Sequence, residues 1–168
     1  MSCKGVFLVI ALLLAGCASR AAEPVAGVAI YLPTQPMSGR EIQQADLSTL
    51  ALQPEPLIPA SDIVAYSPST HDLTLTRAAM QRLPGIRIPV NGIGFVICVG
   101  KTPILAGAFW TAISSLSFDG LTIQVPMYMN ETRLHLYSGY PGLDDTLPND
   151  PRNDPRLLDA LRRAGKLE

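Results

Sequence analysis

Fifteen prolines and thirteen glycines are spread over 168 residues, and this punctuation limits the fold more than any other feature. Proline removes a backbone donor and fixes φ, so helix interiors and central strands rarely carry it. The pieces left between breakers are short, which favours short strands over long helices. The composition is 48% hydrophobic and 16% charged with a formal net charge of −1. That balance fits one compact domain. It excludes a long disordered chain and a protein that holds nucleic acid by bulk positive charge.

The N-terminus is different in kind. After Lys4 come ten apolar residues, positions 6–15, whereas crossing a bilayer takes roughly 20. The run closes on Leu14-Ala15-Gly16-Cys17. These residues resemble the bacterial lipoprotein signal, whose lipobox is a leucine, two small residues and a cysteine. The resemblance implies that residues 1–16 are a signal peptide and that the Cys17 thiol is alkylated by a diacylglycerol. It also implies that the new amino group receives an acyl chain of the palmitate kind. One chain holds a protein to a membrane only marginally, so several on one cysteine make a lasting anchor. Ala18 stands where that class places its inner-membrane retention aspartate. The implied location is therefore the periplasmic face of the outer membrane, with the inner membrane as the alternative. Residues 17–26 are small and polar, as a lipidated tether requires.

The body divides at a shift in charge. Eleven of the last 28 residues are charged, against 15 of the 123 before them, so we read residues 27–140 as a globular domain and 141–168 as a charged C-terminal segment. Residues 27–32 form a first strand with Val28, Ile30 and Leu32 on one face. Residues 33–59, broken by Pro33, Pro36, Pro54, Pro56 and Pro59, read as a long connection with at most one short strand. Strands follow over 62–66 and 72–76, and Thr76 caps a short helix over 77–83 that Pro84-Gly85 stops. The apolar runs 95–99 and 104–110 predict a hairpin across Gly100-Lys101-Thr102-Pro103, its first strand central because both faces are apolar. Asp119-Gly120 suits a type I′ turn and predicts a second hairpin between 116–118 and 121–125. Residues 132–138 alternate Leu134 and Leu136 with Arg133, His135 and Tyr137, as a half-exposed strand does.

In the C-terminal segment Asn149-Asp150-Pro151-Arg152 repeats at once as Asn153-Asp154-Pro155-Arg156. Asp154 followed by Pro155 is a helix start. Leu157, Leu158, Leu161 and Ala164 give that helix an apolar stripe, and Gly165 stops it. The expected class is α+β: a mainly antiparallel sheet with one short internal helix and a C-terminal helix.

Chemistry is sparse. Cys98 lies in an apolar run and reads as buried and inert. With His71 and His135 the only histidines, a four-ligand transition-metal site is not expected. Asp144, Asp145, Asp150 and Asp154 lack EF-hand spacing and read as solvated turn residues. Asn91-Gly92-Ile93-Gly94 lacks the third glycine and following helix of a phosphate loop. Basic residues are scattered, so nucleic acid is not an expected partner. Ser114 or Ser115 with His71 or His135 and Asp72 or Asp119 would supply a hydrolase, but the glycine-flanked serine of a nucleophile elbow is missing. Phe109, Trp110 and Phe118 surround residues 111–117 and form either the rim of the core or a binding surface. A ligand site, if present, draws on Tyr66, His71, Trp110, Ser114 and Phe118.

Residues 72–125 also carry Leu73-Thr74-Leu75-Thr76, a short helix, an apolar strand, a Gly-Lys turn and a second strand. This order resembles the periplasmic head subdomain of the SecD translocation protein, without that family's multi-span membrane portion. It implies an antiparallel α+β sheet more than it implies a translocation role. The whole chain resembles the small lipoproteins of Gram-negative envelopes, which carry over no active site. The expectation is a non-enzymatic binding or assembly module, without cofactor or metal, held to the membrane through Cys17 and meeting an envelope protein. The alternative is a small periplasmic hydrolase using a Ser-His pair.

Overall fold

The apolar run at 95–99 grows into the longest hairpin of the computed structural model, which describes residues 27–126, 131–142 and 149–168. The signal segment, Cys17, the tether, and Asp144 and Asp145 lie outside the described residues. Strands β4 (Ile93–Val99) and β5 (Thr102–Trp110) are joined by a tight turn at Gly100-Lys101. Gly100 sits at φ 63°, a left-handed conformation that glycine adopts at no steric cost. Side chains alternate: Phe95, Ile97 and Phe109 face the main core, while Val96, Cys98, Ala108 and Trp110 face the opposite side. Both sides are covered, which is why the strand reads as continuously apolar.

Five further strands complete one seven-stranded sheet: β1 (Val28–Tyr31), β2 (Ile63–Ser67), β3 (Asp72–Leu75), β6 (Leu121–Gln124) and β7 (Arg133–Tyr137). Their order is β1-β4-β5-β6-β7-β3-β2. Every pair is antiparallel except β5 with β6. Exposed strand edges invite pairing with other chains, and here both edges are occupied. Ile58 bridges to Ile30 on β1, and Leu167 bridges to Tyr66 on β2. The sheet curls nearly into a barrel.

The concave side is filled by residues of the sheet and by two helices. Thr76 accepts from Ala79 N–H at 3.2 Å and caps helix α2 (Arg77–Arg82), which delivers Ala79 and Met80 to the core. Helix α3 (Pro155–Arg163) delivers Leu157, Ala160 and Leu161. The Asp154 cap, Pro155 in the first turn and Gly165 at φ 67° stand where the sequence puts them. The C-terminal helix is thus part of the same core as the strands. The α+β class, mostly antiparallel sheet with a C-terminal helix, is observed as expected.

Two local expectations fail. The connection 33–59 contains a helix, α1 (Gly39–Gln44). Ser38 accepts from Glu41 N–H at 3.4 Å, and the Glu41 carboxylate accepts from Ser38 N–H at 2.7 Å. This reciprocal capping box starts the helix despite the prolines around it. Ile42 then covers Val96 and Cys98 on the convex side.

The second hairpin does not form either. β6 pairs in parallel with β5, Gly107 facing Leu121, and Phe118 bridges instead to Tyr140. Neither Asp119 nor Gly120 adopts the positive φ that a type I′ turn demands. Glycine at 120 has another cause, because a Cβ there would meet the Phe118 ring at 2.4 Å.

The repeated Asn-Asp-Pro-Arg sequence is a structural repeat. Asp150 accepts from the Arg152 backbone N–H and Nε, both at 2.9 Å. Asp154 does the same for Arg156, at 2.8 and 3.0 Å. Each arginine then donates to a strand carbonyl: Arg152 Nη1 to Leu136 on β7 at 3.2 Å, and Arg156 Nη2 to Ile104 on β5 at 3.0 Å. The two copies clip the C-terminal segment onto the sheet. They differ in burial, since Arg152 is only 2% exposed and Arg156 is exposed.

Candidate functional site

The residues singled out in the sequence fall into two separate groups. Tyr66 and His71 belong to the buried side. The Tyr66 hydroxyl donates to the Arg152 carbonyl at 3.0 Å and lies 3.2 Å from His71 Nδ1. Burial pushes its ionisation up. His71, at φ 56°, places Nε2 3.7 Å from Asp150. Burial pushes the Asp150 carboxyl up, but the hydrogen bonds and charge of Arg152, helped by His71, outweigh it and hold the carboxyl below its ordinary range. His135 Nδ1 lies 3.0 Å from Asp72, whose other oxygen accepts from Thr70 at 3.0 Å. Both histidines are therefore held by carboxylates where β3 and β7 meet. Cys98 is fully buried, and burial pushes its thiol up to about 11.

Trp110, Ser114 and Phe118 are brought together elsewhere, at the end of β5. The Trp110 and Phe118 rings stack with centroids 5.3 Å apart and planes at 9°, and Tyr140 tilts against Trp110 at 5.5 Å. The Ser114 hydroxyl donates to the Val90 carbonyl at 2.5 Å, and the Tyr140 hydroxyl donates to the Ser114 carbonyl at 3.0 Å. These bonds tie the crossover after β5 to the loop before β4. Tyr66 and His71 do not join this group. The structure gives Ser114 to Val90 and Tyr140, and the histidines to Tyr66, Asp72 and Asp150.

The aromatic stack forms the wall of a cleft of about 770 Å³ whose rim includes Arg40, Gln43, Asn91, Ser117 and Asp119. α1 supplies Arg40 and Gln43 at positions i and i+3, neighbours on one helix face. Gln43 Nε2 donates to Asp119 at 3.3 Å. Among the described residues Arg40 has no ion-pair or hydrogen-bond partner. Glycine is required where the ring edge is seated, because a Cβ on Gly92 (φ 72°) would lie 2.3 Å from Trp110. The Trp110 Nε1–H is buried and meets no acceptor among the described residues.

Beside this cleft lies an apolar rim. Val90, Ile113 and Leu116 are 63%, 78% and 46% exposed; the other large exposed apolar side chain among the described residues is Val64, at 50%. Leu116 lines the cleft itself. The sequence pointed to Trp110, Ser114 and Phe118 and missed Arg40, Gln43, Asn91 and Tyr140. The Ser38-x-x-Glu41 spacing was the signal that would have placed α1, and with it Arg40 and Gln43, beside the hairpin. Among the described residues, no group of three or more His, Cys, Asp or Glu side chains could hold a metal ion, and no helix is long and apolar enough to cross a membrane. No protein-family model, curated protein or solved structure matches this chain.

Proposed function

We propose that the chain is a lipoprotein of the bacterial envelope, acylated at Cys17, whose folded body is a non-enzymatic binding or assembly module. The anchor rests on the Leu14-Ala15-Gly16-Cys17 resemblance; the observation that carries the binding-module part is the grouping of Val90, Ile113 and Leu116 at one end of the sheet, by an aromatic-walled cleft. Apolar side chains exposed singly need no explanation, but several around one cleft mark an interaction surface. Their position supports the same reading. The Gly27 carbonyl accepts from Gly100 N–H at 2.9 Å, so the chain enters the body at the Gly100-Lys101 turn. β5 runs from that turn to Trp110, a distance of about 27 Å at ~3.3 Å per residue. With Cys17 in a bilayer, the tether joins the body at the end opposite the apolar rim, which leaves the rim clear of the attachment point for a partner.

The anchor and the surface are tested separately. Mass spectrometry of the native product is expected to show residues 1–16 removed and Cys17 carrying diacylglycerol and an acyl chain. Cys17→Ala is expected to accumulate as uncleaved precursor without lipid label. A photo-crosslinking amino acid at Ile113, activated in living cells, is expected to yield one discrete adduct with an envelope protein. The same probe at Val64 gives none, and equal diffuse labelling from both positions rejects the docking surface.

A further inference from the structure

We infer that the cleft receives an extended segment of a partner protein, in which a large apolar side chain is flanked by an acidic and a basic one. The inference rests on the binding-module reading above and adds the chemistry of the occupant. Three features define it. Leu116, with Ile113 and Val90 beside it, offers an exposed apolar contact at the mouth of the cleft. On the rim, Arg40 is a cation without a partner among the described residues, and Asp119, held by Gln43, is an anion. One positive and one negative group complement a segment bearing both signs, and they fix its direction as well as its binding. Asn91, Gln43 and Ser117 supply side-chain groups that both donate and accept.

Backbone amides of an extended segment satisfy such groups. A lipid tail in the same place would strip water from them and return no hydrogen bond, an unfavourable exchange. A second copy of this chain fits less well. A stable dimer needs about 800 Å² per partner, and the rim of Val90, Ile113 and Leu116 is a small part of that. The buried Trp110 Nε1–H, without an acceptor among the described residues, sits on a side chain of the same wall, so its environment reports occupation of the cleft.

Trp110 is the single tryptophan of the chain, and one indole N–H resonance therefore reads out the cleft. The full-length chain carrying Cys17→Ser, in a mild detergent, is titrated with acetyl-Glu-Leu-Leu-Lys-amide and with acetyl-Gln-Leu-Leu-Gln-amide. The charged peptide is expected to move the indole signal with an apparent affinity about fivefold higher than the neutral one, the effect of two exposed ion pairs. The surface variant Arg40→Gln reduces that preference, and Leu116→Ser weakens both peptides alike. Equal response to the two peptides, an unmoved indole signal, or a detergent titration that moves it while the peptides stay silent each overturns the inference, the last in favour of a lipid occupant. Absence of acylation at Cys17 removes the envelope reading and leaves this titration unaffected, so the two fail separately.

Discussion

Replacing Arg152 by alanine is expected to lower the unfolding free energy by about 3–5 kcal/mol, the cost of breaking a buried ion pair from one side. The guanidinium is almost fully buried and lies 2.7 Å from Asp150 through Nη2, with a further bond to the Leu136 carbonyl. Its removal leaves the Asp150 carboxylate inside the protein without its main countercharge. The Asp150→Asn/Arg152→Met double variant is expected to recover most of the loss, because removing both charges together is cheap and asparagine still caps the turn. Chemical denaturation followed by Trp110 fluorescence measures all three. The acid limb of stability gives an independent check. Asp150 is held below its ordinary range, so its contribution is complete above the unfolded value near 4 and is lost as pH falls through the lower folded value. In Arg152→Ala burial acts without most of that opposition, the folded carboxyl rises toward or above its unfolded value, and the Asp150 share of the acid loss shrinks or reverses. A variant whose acid limb is unchanged would show that Arg152 is not what holds the carboxyl.

Gly107→Ala is the second large effect expected. A Cβ at this position would lie 2.5 Å from the Leu121 carbonyl oxygen and 2.5 Å from Phe95 Cζ. A ring can swing, but the carbonyl belongs to β6, which pairs with β5 at that residue. One methyl therefore pushes apart the parallel pair that joins the two antiparallel parts of the sheet. Overpacking of this kind costs about 1–3 kcal/mol, and contact with backbone places the cost at the upper end. Adding Phe95→Leu relieves the ring contact alone, so the double variant is expected to recover only part of the midpoint. Full recovery would mean that β6 moves freely and that Gly107 is not what holds the parallel register.

Much of the sheet was legible along the chain because its signals are local. The Leu73/Leu75 and Leu134/Leu136 alternations, the Thr76 cap and the Asp154-Pro155 start each act within a few residues, and each stands as expected. Phe118 and Gly120 were misread for the opposite reason. The glycine follows Asp119 as in a hairpin turn, yet what demands it is the Phe118 ring folding over it, and Phe118 takes a partner, Tyr140, twenty-two residues away. α1 was missed because prolines on both sides outweighed a capping box that does spell a helix. The candidate site divided along the same line. Trp110, Ser114 and Phe118 lie close in sequence and are close in space, whereas Tyr66 and His71 turned inward to Arg152 and Asp150.

Taken alone, the order of residues determined the strand periodicity, two of the three helix starts and the mainly antiparallel α+β class, since these depend on side-chain alternation and caps that neighbouring residues complete. Only the tertiary structure decided that β5 and β6 run parallel, that the Asn-Asp-Pro-Arg repeat becomes two clips onto distant strands, and that Arg40, Trp110, Leu116 and Asp119 share one cleft. Those outcomes depend on which side chains exclude water from one another across the whole chain, and that is settled by packing in three dimensions.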